Sequence, residues 1–201
     1  MIVLDVESTG LNTSSVSIVS LGALDFHSPE NQFYGECHIW DGAEIEDAAL
    51  VINGFTRAQI LDIDKPSEAD LITSFVAWAH TITDRTLVAQ NVSFDLELVQ
   101  SACKRAGVAC PFGKRTIDTH SLVWMHMTEQ GRVIPQKNNH SDISLDTGLA
   151  YCGLPAETKP HNALTGARAH AEILARVAYN KSILSEFSTF PIPWTPLERT
   201  M

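Results

Sequence analysis

Two acids stand almost at the start of the chain, Asp5 and Glu7 in the stretch DVESTG, directly after the apolar run Ile2, Val3, Leu4. Side chains along a strand alternate between its faces, so Val3, Asp5 and Glu7 share one side while Ile2, Leu4 and Val6 take the other. Two carboxylates then point the same way from the end of a buried strand. Their mutual repulsion raises proton affinity unless a cation lies between them, and hard oxygen donors favour Mg²⁺ or Mn²⁺. The competing reading is local: Asp5 caps a turn and Glu7 faces water.

The elements that must position these acids follow from pattern. Strand-like stretches at 2–6, 15–26 and 32–40, rich in Val, Ile, Phe and Tyr, read as a meander. Ser67 and Asp70 form a capping box ahead of Leu71, Ile72, Phe75, Val76 and Ala79, which predicts a helix over 67–81. A short strand at 86–89, a helix from Asn91 to Gly107, and a strand ending at Asp118 come next. A helix through Leu122 to Met127, a polar surface loop over 129–142, a Ser144-capped helix over 145–152 and a long helix over 162–183 complete the pattern. Strands first, then strand and helix in alternation, describe a single α/β domain over 1–185, a mixed sheet flanked by helices, with an irregular tail over 186–201.

Composition narrows the class. The 201 residues are 44% hydrophobic, enough for one sizeable core. No apolar run of eighteen residues occurs, and Met1 leads straight into a strand, so a soluble, cytoplasmic protein without a membrane partner is expected. Cys37, Cys103, Cys110 and Cys152 are scattered without a C-x-x-C pair and read as reduced thiols. A formal net charge of −10 excludes a protein that grips long nucleic acid by counterion release alone. Between 101 and 140 the balance reverses: Lys104, Arg105, Lys114, Arg115, Arg132 and Lys137 face only Asp118 and Glu129, either as solvated surface or as a phosphate-facing rim.

DVESTGL at the start, NVSFD at 91–95 and HNALTGARAHAEI from 161, with NGFT at 53–56, IDT at 117–119 and SLD at 144–146 between them, occur in one order over residues 2 to 180. In this the chain resembles the DEDDh exonucleases, which include RNase T, oligoribonuclease and the proofreading subunits of replicative polymerases. The resemblance implies an RNase H-like five-stranded sheet and a metal-dependent 3′-to-5′ exonuclease that releases nucleoside 5′-monophosphates. It implies that Asp5, Glu7 and Asp95 hold two Mg²⁺ or Mn²⁺ ions and that His161 takes the proton of the attacking water, a task suited to an imidazole of ordinary pKa about 6.5. It also implies that Thr9, Gly10 and Leu11 lie along the terminal nucleotide, with Phe55 and Phe94 stacking on bases or packing in the core. Single-stranded DNA or RNA 3′ ends are the implied partners, and a homodimer or a polymerase partner is compatible with it.

One position departs from the pattern. The family's His is separated by four residues from a last Asp, and here that position is Gly166. Losing one acid of four removes a ligand and about one unit of negative charge, so metal affinity and turnover are expected to fall. A glycine inside a helix also costs about 1 kcal/mol relative to alanine. An inactivating change, a variant with weaker metal binding, and a replacement ligand all fit. His170, one turn further on, is one replacement; Asp118 and Asp146 read more simply as helix-start or turn acids. If the site is merely impaired, Gly166→Asp restores cleavage; if the chemistry is gone, the chain is a silent nucleic-acid-binding or polymerase-associated module.

Overall fold

The computed structural model describes residues 1–194. Strands β1 (Ile2–Ser8), β2 (Ile18–Asp25), β3 (Ser28–Glu36), β4 (Leu87–Ala89) and β5 (Thr116–Asp118) form one mixed sheet in the order β3-β2-β1-β4-β5. The first three are an antiparallel meander, and β4 and β5 run parallel to β1. The α/β reading from sequence therefore holds, as does the alternation along β1. Ile2, Leu4 and Val6 pack with α3 (Glu68–Ala79) and α4 (Val92–Ala106) through Leu71, Phe75, Leu98 and Ala102. On the other face Val3 packs with Leu24, Val88 and the Ala167, Ala171, Leu174 stripe of α7 (Ala163–Tyr179). Asp5 and Glu7 thus lie on the α7 side.

Helix α3 starts at the expected capping box, Ser67 and Asp70 each accepting the other's main-chain N–H. Its first residue, Glu68, is buried and accepts from the Ser17 hydroxyl, the Ile18 N–H and the guanidinium of Arg105 on α4. One carboxylate thereby joins α3, α4 and the start of β2.

The sequence pattern differs from the structure in several places, the first being β3, which runs over Ser28–Glu36 rather than 32–40. Helices α1 (Asp47–Asn53) and α2 (Arg57–Ile60) were not expected; they are 7 and 4 residues long, too short for periodicity to show. The polar stretch 129–142 holds a small hairpin, β6 (Gln136–Lys137) and β7 (His140–Ser141), turned by Asn138 and Asn139 at φ 51° and 63°. Helix α5 (Thr119–Glu129) begins earlier and ends later than the stretch expected between Leu122 and Met127. Helix α7 ends at Tyr179, because Asn180 takes a left-handed conformation and the N–H groups of Ile183 and Leu184 turn back to the Glu172 carboxylate.

Beyond α7, a 3₁₀ turn at Ser185–Phe187 leads to Trp194, whose ring lies 4.4 Å from that of His126 and 5.2 Å from that of Tyr151. The expected irregular tail is described only to 194, so Pro196 lies outside the described residues. Arg176, fully buried, fixes this segment: it pairs with Glu172 and donates to the carbonyls of Cys152, Phe187, Phe190 and Pro191. No helix among the described residues is long and apolar enough to cross a membrane.

Arg176→Met strands the buried Glu172 charge and frees four carbonyls. Urea denaturation is expected to show a loss of about 3–5 kcal/mol, with the chain beyond residue 180 becoming the first site of proteolytic cleavage.

Candidate active site

The carboxylates of β1 are framed by two glycines. Gly22 on β2 is the register partner of Asp5. A Cβ there would stand 2.2 Å from the Leu164 nitrogen and 2.3 Å from the Ala163 carbonyl carbon, so only glycine lets the first turn of α7 rest on the sheet. At Gly166 a Cβ would stand 2.2 Å from Oδ2 of Asp5. Helix and strand therefore meet with the Asp5 carboxylate filling the space a side chain at 166 would need. One turn on, the buried His170 places Nε2 3.6 Å from Asp5 Oδ1, and its Nδ1 has no hydrogen-bond partner among the described residues.

Asp95 comes from the opposite layer, in the first turn of α4. The helix start is not capped by its own Asn91, which sits at φ 51°. Instead Asp118 accepts the N–H groups of Asn91 and Val92, at 3.3 and 3.2 Å, and also caps α5 through His120 N. Asp118 thus keeps the structural role its position suggested, while Asp95 is 5% exposed.

His161 lies on the loop between α6 (Leu145–Tyr151) and α7. The NGFT motif explains how that loop is held. Asn53 donates to the Ser8 carbonyl at the end of β1, and Gly54, at φ 75°, lies so close to Pro160 that a Cβ would stand 2.3 Å from it. His161 N donates to the Ile52 carbonyl at 3.4 Å. The same loop carries an acid that sequence reasoning missed. Glu157, its side chain 6% exposed, places Oε2 3.6 Å from Nδ1 of His161 and accepts from the Thr165 hydroxyl at 3.2 Å. Its main-chain N–H donates to Asp146, which is thereby spent on the loop.

These groups sense one another's charge. Burial and the charges of Asp5 and Glu157 push the Glu7 carboxyl up to about 8. Burial and then Asp5 raise Asp95 well above the usual carboxylate range, although the main-chain N–H groups of Asp95 and Val6 act the other way. Burial raises Glu157 too, opposed by His161. Among the described residues no three His, Cys, Asp or Glu side chains yet converge on one point at coordination distance. The donor set nonetheless suits a hard divalent cation: oxygen ligands only from Asp5, Glu7 and Asp95, held in mutual repulsion that a cation would relieve.

The expected substrate residues divide. Thr9 is fully buried, its hydroxyl donating to the Glu44 carbonyl and accepting from Ser17 N, so its side chain is not free to meet a nucleotide. Gly10 is pressed against the Glu46 carboxylate. Leu11, 75% exposed, projects beyond them. Phe94 packs against the main core, and Phe55 joins the Val19, Ile39, Leu50, Ile60 cluster with Lys65 Nζ 5.2 Å over its ring. Sequence reasoning missed exposed Val51 and Ile52, which with Lys159 and Pro160 line a cleft at His161.

The basic rim is corrected. Arg105 is committed to Glu68. Lys114 and Arg115 precede β5, which runs parallel to β1, and therefore lie at the end of the sheet away from Glu7. The stretch from 101 to 140 forms no single approach to the site.

A five-stranded mixed sheet with acids at the end of its central strand and a helix crossing them is the RNase H-like fold. The nuclease domain of 3′hExo, a DEDDh family member bound to rAMP, superposes over 90% of this chain and 92% of its own with a TM-score of 0.67 at 15% identity. Exonuclease I of E. coli in complex with a dT13 oligonucleotide does so over 87% of this chain and 40% of its own, with a TM-score of 0.65 at 15% identity. In sequence, the DNA polymerase III PolC-type of Staphylococcus aureus is 28% identical over 131 residues, 65% of this chain. The chain spans only 9% of that relative's length. The family described as exonuclease, of the RNase T type, matches residues 2–174, and the chain belongs to this DEDDh 3′–5′ exonuclease family.

Because the folded protein holds the Glu7 proton up to about 8 against an ordinary value of 4.5, the unfolded chain ionises first. Metal-free protein is therefore expected to lose stability as pH rises from 4.5 to about 8, by at most about 1.4 kcal/mol per pH unit from this group. Thermal unfolding in EDTA across that range checks it, and Glu7→Gln should flatten the dependence.

Proposed function

We propose that this protein removes nucleotides from the 3′ ends of single-stranded DNA or RNA, releasing nucleoside 5′-monophosphates. The observation that carries the reading is that Asp5, Glu7 and Asp95, in the family's order, act on one another's charge, and that Glu157, which also acts on Glu7, lies 3.6 Å from His161. Asp5, Glu7 and Asp95 would hold two Mg²⁺ or Mn²⁺ ions. When bound, such ions neutralise the scissile phosphate and make water acidic enough to attack at neutral pH.

The chain's own residues do the rest. His161, about one third exposed and beside Glu157, is the group we assign to accept the proton of the attacking water. Exposed Leu11, Val51 and Ile52 offer apolar surface to the terminal base, and Lys159 offers a cation to its phosphate. A net charge of −10 disfavours long duplex and suits short single-stranded ends whose charge is met locally. Cytoplasmic action and a polymerase partner fit the same reading, given the PolC-type relative.

Gly166 favours a second reading, a module that keeps the fold and binds strands without cutting them. Incubation of 5′-labelled single-stranded DNA and RNA with Mg²⁺ or Mn²⁺ separates the two. Shortening from the 3′ end, abolished by EDTA and slowed about 10²–10⁴-fold in His161→Ala, is the expected outcome. Strand binding with no shortening of either polymer establishes the silent module.

A further inference from the structure

We propose that Glu157 supplies the fourth carboxylate of the metal site, in place of the acid absent at residue 166. The inference rests on the exonuclease reading and extends it to the position where this chain departs from its family.

The position of the missing acid is crowded as the chain stands. The space that a side chain at 166 would enter holds the Asp5 carboxylate, 2.2 Å from where a Cβ would stand. An acid at 166 requires Asp5 to move. The carboxylate must then come from another element, and the loop ahead of α7 delivers one.

Glu157 is fixed at three points. Asp146 accepts its main-chain N–H at 3.1 Å, the Thr165 hydroxyl donates to one carboxylate oxygen at 3.2 Å, and His161 Nδ1 lies 3.6 Å from the other. Thr165 is the residue before Gly166, so the Glu157 head group lies in the notch between His161 and the first turn of α7. Residue 166, where the missing acid would stand, is the next along that turn.

Its surroundings are those of a ligand awaiting a cation. The side chain is 6% exposed, yet among the described residues its ion-pair partner is an imidazole; Arg168, which lines the same cleft, is paired with Glu186 instead. Its charge acts on Glu7, and Asp5 acts on it in turn. A buried acid placed among other acids is costly unless a positive charge joins them.

The competing replacements are otherwise engaged. Asp118 accepts three main-chain N–H groups and Asp146 holds the loop. His170 faces Asp5 itself, and its nitrogen is a softer donor than the oxygens around it. Glu157 matches the missing group in charge and hardness.

Mn²⁺ titration followed by the electron paramagnetic resonance signal of the free ion tests this without relying on turnover. Wild type, Glu157→Gln, Glu157→Asp and, as a surface control, Glu129→Gln are compared, with thermal unfolding in EDTA showing that each folds. Two bound ions in wild type and in the control, at least tenfold weaker binding in Glu157→Gln, and an intermediate value in Glu157→Asp are expected. Cleavage should fall at least 100-fold in Glu157→Gln, and Gly166→Asp should not exceed wild type. A Glu157→Gln protein that binds Mn²⁺ and cleaves as wild type does, or a tenfold gain in Gly166→Asp, overturns the assignment and leaves the exonuclease reading intact. Wild type that neither binds Mn²⁺ nor cleaves overturns both.

Discussion

Carboxyl groups crowded together and partly withdrawn from water at the end of β1 are the constraint around which the molecule is arranged. The contrast with its other buried acids is instructive. Glu68 and Glu172 are also nearly or fully inaccessible, but each is met by an arginine, Arg105 and Arg176, and by main-chain N–H groups. Those acids are neutralised inside the fold and serve as fasteners. Asp5, Glu7, Asp95 and Glu157 have imidazoles near them and one another, and no guanidinium or ammonium completes their set among the described ion pairs. The fold thus distinguishes acids that hold it together from acids left to hold something else.

Bringing that charge together requires three layers to meet at one strand end. The meander supplies the strand, and the parallel crossover to β4 delivers α4 with Asp95. Helix α7 must then come closer to the sheet than side chains normally permit. Gly22 makes this possible at the level of backbone against backbone, and Gly166 does so for backbone against the Asp5 carboxylate. The second glycine is therefore more than a missing acid. It is the contact surface on which Asp5 rests, which gives it a structural reason in a helix whose pattern offered none.

Much of this was legible where the governing interactions are local. Alternation along β1 put Asp5 and Glu7 on one face, and Ser67 with Asp70 fixed the start of α3, because strand periodicity and capping act within a few residues. The pair Asn138 and Asn139 was a hairpin signal within a stretch read only as a loop. Glu157 carried no signal at all: it lies in a loop without periodicity, and its meaning comes from Thr165, His161 and Asp146, met only after folding. The same holds for Arg105, one basic residue among several in sequence, whose partner is 37 positions away. Helix α1 is likewise a tertiary product, anchored by Asn53 to the end of β1, whereas the Thr56–Gln59 capping box of α2 was a local signal passed over.

The clamp around Arg176 grips its neighbours by carbonyl oxygens of the main chain, and not by any side chain of the segment it secures. Every amino acid offers that oxygen. Apart from Phe187, which also packs on the core, residues 188 to 191 are thus not tied to particular side chains by this clamp, provided the arginine and its glutamate are kept.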